Sequence, residues 1–542
     1  MSMDPFTLLK SYMSRYISCI EKLEVDYDSV VVHTSEYRKL NSILRGLVEK
    51  GIIKNYDIST GIVRVVPSIR LVYDILVDVI RSSRPTYGYL EEKRGTVVLD
   101  IGVITVRTKT NSLIRPLMVS EVLHRSFLAR GFESEPILIL DDMDRDFSIL
   151  LWTYDKNIFD LMPPHILVPT LKIFSEIRKL KRRIEELKQK GLYNETIKLL
   201  GEIDRRVAEL VELRERYGST IDKVIEVVKG IDDIEAEWNT IYRSVLRGSY
   251  DISNVVNKIR SNLDPLFKFC RLDVKIVSMS KILVHYRMLD KLVKALSQMD
   301  RVKYTERGVE LYTFILPGRF IVLNKDGVPT GGIRRLLVDL WLLEHVHADN
   351  VLMFLSRPEG LIMSRVVREM AHVVKGLDAS RLKLVEVGRV RPEDADIKSL
   401  MNIIGDTLES YEKVADVLRL SLVIKKRTED LDLRDKNLLI ESASLLHRIV
   451  DVEKQVKLVK LQQSNQDALP LALLLLKFPV VLEELIEHID PRILVLYLKK
   501  ILEELYSLVE HQDMGRDLLD YCVDVIKKSA SILGVSMDSV AQ

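Results

Sequence analysis

Cysteine is scarce: Cys19, Cys270 and Cys522 are the three in 542 residues, far apart and without a CxxC pair. That pattern argues against a disulfide framework or a cysteine zinc site, and makes a reducing cytoplasm the default location. An excess of either charge is also missing, with 81 Lys and Arg against 79 Asp and Glu. Contact with a polyanion therefore has to come from a local basic patch, not from the overall field. Long apolar runs are lacking too. The longest, ALPLALLLLKFPVVL (468–482), is broken by Pro470, Lys477 and Pro479, and falls short of the roughly 20 residues that cross a bilayer. The opening MSMDPF is polar and has no signal-peptide core.

What is present is a globular balance of 47% hydrophobic and 30% charged residues, enough core for three or four domains. Abundant Ile, Val and Leu with many charges and few cysteines suit a thermophile.

Along the chain, residues 1–90 mix helix and strand signals. PFTLLKSYMSRYISCIEKL (5–23) has helical spacing, TGIVRVVP (60–67) reads as a strand ended by proline, and SIRLVYDILVDVIRSS (68–83) as a helix. Residues 91–164 hold strand, helix, strand: TVVLDIG (96–102), VLHRSFLARGF (122–132) and PILIL (136–140). Between them RPLMVSEVLH (115–124) reads as a strand-to-helix turn without glycine or lysine. The acidic run DDMDRD (141–146) reads as a solvated loop; metal binding by its carboxylates is the alternative.

Residues 165–268 are helical, with an antiparallel hairpin turning at Lys190-Gly191 and an apolar stripe of Leu171, Phe174, Ile177, Ile184 and Leu187. Its basic run RKLKRR (178–183) is either a solvated face or a phosphate-contacting surface. Over 269–395 strand signals return at VKIVSM (274–279), VELYTFIL (309–316), RFIVLN (319–324), NVLMFL (350–355) and LKLVEV (382–387). The alternation predicts a parallel α/β sheet split by the helical insertion. Residues 396–542 read as all helical. His345 and His347 lack a third ligand and read as ordinary helix-end histidines.

Several segments, in order, resemble arginyl-tRNA synthetases of class I. They are YGYLEEKRGTVVLD (87–100), DGVPTGGIRR (326–335), DVLRLSLVIKKRTEDLDL (416–433), ESASLLHRI (441–449) and LKFPVVLEELIEHIDPRILVLYLKKILEELYSLVE (476–510). In the second, Asp326, Gly327, Pro329, Thr330 and Arg334 match the family pattern D-G-x-P-T-Y-x-x-R-D, while Gly331 replaces its tyrosine and Arg335 its final aspartate. The resemblance implies a multidomain α/β plus all-α fold. It would combine an N-terminal α+β additional domain, a Rossmann-like catalytic-type domain with a helical insertion, and a C-terminal helical anticodon-binding-type domain.

The family's chemistry needs donors and cations around the ATP phosphates. They come from an H-I-G-H signature at a helix N-terminus and a K-M-S-K loop after the last strands. By the preceding Pro116-Leu117, the first signature aligns with Met118, Val119, Ser120 and Glu121. Met118 cannot donate, Ser120 adds bulk, and a Glu121 carboxylate about 4 Å from a phosphate charge would cost roughly 4 kcal/mol. Where the second signature belongs, the chain reads GRVRPEDADIKSL (388–400); Ser278-Met279-Ser280-Lys281 comes too early to serve. Leu355-Ser356-Arg357-Pro358 replaces a further nucleotide-contacting element.

The resulting expectation is a degenerate nucleotide site without catalytic residues, cofactor or metal. The expected function is binding of tRNA or another structured RNA, or service as a translation-associated partner. Arg448 and Ile449 match the family's Y-A-H-A-R-I segment. The expected RNA contacts are Lys425, Lys426, Arg427, Arg448, Tyr497, Lys499, Lys500 and Tyr506. The alternatives are a divergent active arginine–tRNA ligase, which would use ATP and Mg2+ with Arg115, Asp326 and Arg334, and a scaffold that docks a protein through the 165–268 hairpin.

Overall fold

The computed structural model describes residues 20–25, 29–35, 40–83, 86–298, 301–312, 319–356, 363–364, 366–367, 379–392, 396–408, 413–458, 466–511 and 515–537. Strands β1 (Ile20–Val25), β2 (Val30–Thr34), β3 (Ile53–Ser59) and β4 (Ile62–Pro67) form an antiparallel sheet ordered β1-β2-β4-β3. Helices α1 (Asn41–Glu49) and α2 (Ile69–Ser83) accompany it. Val30, Val32, Val63 and Val65 give the sheet a buried β-branched face. The helix expected over 5–23 is corrected at its end, where residues 20–23 are strand; residues 5–19 lie outside the described residues.

Strand β5 (Gly95–Ile104), helix α3 (Thr110–Ala129), strand β6 (Phe132–Leu140) and helix α4 (Arg145–Asp155) follow. A helical insertion then runs through α5 (Pro164–Gln189), α6 (Tyr193–Tyr217), α7 (Ser219–Lys229), α8 (Ile234–Leu246) and α9 (Ser253–Cys270). The chain continues with β7 (Lys275–Ser278), α10 (Met288–Ser297), β8 (Val302–Thr305), β9 (Gly308–Tyr312), β10 (Arg319–Asn324), α11 (Gly331–His345), β11 (Asn350–Ser356) and β12 (Leu382–Val387).

The central sheet is parallel, ordered β12-β11-β5-β6-β7. Its inner strands β5, β6 and β11 carry runs of buried residues on both faces, which explains their nearly unbroken apolar stretches. The strand order reverses between β5 and β11, so the crevice beyond their carboxyl ends is the natural ligand position of an open α/β sheet. Two of the expected sheet strands are corrected: β9 and β10 pair antiparallel with each other, and with β8 they form a separate three-stranded sheet.

Beyond it come β13 (Val390–Arg391), α12 (Ile397–Leu408), α13 (Val414–Ile424), β14 (Leu431–Asp432), α14 (Lys436–Leu458), α15 (Leu469–His488), α16 (Arg492–His511) and α17 (Arg516–Ile532). This C-terminal half is helical apart from the short β13–β14 pair. The N-terminal part docks onto it: the buried Tyr87 hydroxyl donates to the Leu475 carbonyl at 2.8 Å. Among the described residues no helix is long and apolar enough to cross a membrane.

Candidate nucleotide-type crevice

A cavity of about 650 Å³ opens at the strand-order reversal. Its floor is Ile101–Val103 of β5 and Phe354–Ser356 of β11. Ser112, Arg115 and Pro116 of α3 close one side, and Gly331, Gly332 and Arg335 of α11 close another. The register between β5 and β6 slips between Asp100 and Gly102, leaving Ile101 as the extra residue of a bulge beside the cavity. Two helices begin here, α3 and α11, and helix N-termini favour anions.

The turn expected at 115–124 is not a turn. Helix α3 begins at Thr110, after the extended residue Lys109, and its opening turn is Thr110-Asn111-Ser112-Leu113. Met118, Val119, Ser120 and Glu121 lie two turns deeper and are fully buried, and none of them lines the cavity. The expected clash of Glu121 with a triphosphate is therefore corrected. Glu121 pairs with Arg125 at 2.6 Å and faces the C-terminal domain, where a Cβ on Gly534 would come 2.9 Å from its oxygens. Gly534, at φ +72°, thus serves both as a left-handed residue just past α17 and as the room for this carboxylate.

Burial raises the Glu121 pKa to about 7 against the opposing Arg125, Arg419 and Arg271. Since the folded value lies above the ordinary 4.5, the group holds its proton more tightly in the folded chain. Its contribution to stability is complete below about pH 4.5 and is lost as pH rises through 7. Glu121→Gln is expected to remove up to about 3 kcal/mol of this loss, read as a flatter dependence of the urea midpoint between pH 5 and 8. A wild-type slope retained in the variant would assign the titration elsewhere.

Arg115 is 1% exposed, and all three of its donor groups are engaged by backbone carbonyls. Nε donates to Leu422 at 3.2 Å, one terminal nitrogen to Lys426 at 2.9 Å, and the other to Glu429. Burial lowers its pKa to about 10. Its guanidinium is a clasp between α3 and the stretch from the last turn of α13 to Glu429. Gly388 completes the clasp, because a Cβ there would overlap the Glu429 carbonyl and crowd the guanidinium.

Arg334 donates to the Pro329 carbonyl at 2.8 Å and pairs with the buried Asp141. Asp326 pairs with Arg145 at 2.8 Å nearer the surface. Arg335 reaches from α11 to Asp100, Nε to carboxylate at 2.6 Å, and donates to the Phe354 carbonyl at 2.8 Å. The three residues offered for an active ligase are therefore held in internal contacts.

The acidic run after β6 is corrected from a solvated loop to buried anchors. Asp142 accepts from the Ser278 hydroxyl at 2.6 Å and from the Ser280 amide at 2.7 Å. This is also the use of Ser278-Met279-Ser280: its serines hold Asp142 and its methionine is buried. Burial raises the pKa of both Asp141 and Asp142. Asp144 caps α4, and Asp146 pairs with Arg107 at 2.9 Å. Among the described residues no cluster could hold a metal ion. His345 ends α11 and stacks on Trp341 with ring centroids 5.1 Å apart.

The RNA-contact candidates divide. Tyr497 is buried, donates to the Leu474 carbonyl at 2.9 Å and stacks on Phe478, so it is corrected from a base-stacking position to core. Arg427 donates to the Glu386 carbonyl at 2.6 Å, and burial lowers its pKa. Lys425 and Lys499 both pair with Glu441. Arg448 covers the Tyr506 ring at 5.0 Å, with the Tyr506 hydroxyl donating to the Arg448 carbonyl. Lys426 and Lys500 are exposed. In RKLKRR, Arg178 and Arg182 donate to Val228, Ile231 and Asp232 carbonyls within 2.8 Å. These arginines cap the end of α7, a use neither sequence reading had considered.

Sequence reasoning missed Arg107, Lys109 and Arg389, which ring the cavity mouth and are exposed. The polar run TKTNS (108–112) was the available signal for a helix start there.

No family model and no curated protein matches the chain. Among solved structures it is similar to the Thermus thermophilus arginyl-tRNA synthetase, with a TM-score of 0.61 at 12% identity over 99% of this chain and 100% of that one. It is likewise similar to the Plasmodium falciparum arginyl-tRNA synthetase, with a TM-score of 0.61 at 12% identity over 98% and 97%. The fold is that of arginyl-tRNA synthetases, Rossmann-like sheet and helical domains together.

Proposed function

We propose that this chain is a noncatalytic protein of the synthetase fold that binds tRNA or another structured RNA and takes no cofactor. One observation carries the reading. Among the described residues the cavity wall contains no histidine, and the buried arginines beside it are bound to protein acceptors. Phosphate chemistry requires preorganised donors aimed at the developing charge, and here the buried arginines are committed to protein acceptors. The exposed Lys426 and Lys500 on the helical half, with the partly exposed Arg448, offer the phosphate contacts.

The second reading, an active ligase, is favoured by Arg107, Lys109 and Arg389 at the mouth. ATP–pyrophosphate exchange with arginine and its tRNA separates the two. We expect no turnover above background; clear turnover would establish the ligase. RNA copurified at moderate salt is expected to be enriched in one structured class, with affinity falling steeply as salt rises. No enriched RNA, or salt-independent binding, would leave a scaffold.

A further inference from the structure

Helix α6 is the outer arm of the insertion hairpin. Its inner face closes a small core of its own: Ile203 is buried against Ile173, Ile177 and Ile184 of α5, apart from the main core. Its outer face is unusually apolar. Tyr193 and Ile197 are each 66% exposed, Leu200 and Val207 43%, and Val211 50%. With the exposed Asp204 these positions run 193, 197, 200, 204, 207, 211. The spacing of 4, 3, 4, 3, 4 is a heptad seam, the pattern that mates with another helix.

The spacing also reads the same in both directions. Laid antiparallel on a second α6, Tyr193 meets Val211, Ile197 meets Val207 and Leu200 meets Asp204, each pair occurring twice about a two-fold axis. Gly201 and Ala208, both exposed, border the seam and let the backbones approach; no atom lies within 4 Å of a Cβ built on Gly201. A lone polar residue in a seam, here Asp204, fixes register at some cost in stability.

We propose that the outer face of α6 is a homodimer seam, occupied by the same helix of a second copy in antiparallel register. The seam spans about 27 Å of helix, from 1.5 Å per residue. That footprint is at the small end for a specific interface, where weak and transient pairs lie. The proposal is independent of RNA binding.

Sedimentation of the full chain tests it. The wild type is expected to pass from monomer to dimer across roughly 1–100 µM. Val207→Glu is expected to weaken the dimer at least tenfold with an unchanged circular dichroism spectrum, because this side chain faces solvent in the monomer. Register is read by disulfide capture on a Cys19→Ser background. Leu200→Cys mixed with Asp204→Cys should cross-link, and neither alone should. A monomer at every concentration, a dimer indifferent to Val207→Glu, or self-capture of each single variant, as parallel pairing would give, overturns the proposal.

Discussion

Arg115→Ala is expected to destabilise the protein by about 3–5 kcal/mol, seen as a lower urea midpoint for the cooperative unit containing the central sheet. The guanidinium joins α3 to carbonyls of Leu422, Lys426 and Glu429, more than 300 residues away in sequence. Removing it leaves these acceptors without their donor in a site walled by Gly388, where each unmet buried group costs about 1–3 kcal/mol. Arg115→Lys should recover only part of the loss, because a single ammonium cannot span three carbonyls spread along a chain segment. Gly388→Ala should mimic the defect by pushing on the same guanidinium and the Glu429 carbonyl. The outcome that sinks this account is Arg115→Ala at the wild-type midpoint with a selective loss of ligand binding. Arg115 would then be a ligand contact after all.

The same arginine shows where sequence reading stops. The strands at 96–102, 136–140 and 350–355 announced themselves, because a doubly covered parallel sheet writes a nearly continuous apolar run into its inner strands, while edge strand 382–387 showed alternating burial instead. The order of the segments along the chain then pointed to the synthetase fold. The start of α3 was not legible in the same way. Pro116 reads as a first-turn proline, yet it is the seventh residue of the helix that opens at Thr110. The helix start and the buried place of Arg115 within it are therefore not written in the local pattern. The acids failed for a different reason. Asp141 and Asp142 follow a strand in a run that looks solvated, and their burial depends on Arg334 and Ser278, 193 and 136 residues further on. Local pattern carries periodicity, but the partner of a buried charge is set by topology.

The charge cluster beneath the crevice gives the second large effect. Asp100 and Asp339 are fully buried, and Arg335 is the cation between them, paired to Asp100 and one helical turn before Asp339. Both carboxylate oxygens of Asp339 lack a hydrogen-bond donor among the described residues. Burial, reinforced by the neighbouring Asp100 charge, holds the Asp339 pKa well above its ordinary value. Burial likewise raises Asp100, with Arg335 opposing it. Arg335→Ala is expected to cost about 3–5 kcal/mol near neutral pH, because it leaves two buried acids without their cation. The paired variant Asp100→Leu with Arg335→Met should recover much of that loss, since apolar groups of similar volume need no counter-ion. The sign of the pH effect follows from the raised values. Folding favours the protonated acids, so their contribution is complete below about pH 4 and drains away as pH rises toward the folded values. Urea midpoints across pH 5–9 should therefore fall more steeply in Arg335→Ala than in the wild type. Asp339→Asn should flatten the wild-type decline. A midpoint unchanged by Arg335→Ala, or a slope untouched by Asp339→Asn, would show that these acids do not govern the alkaline limit of this fold.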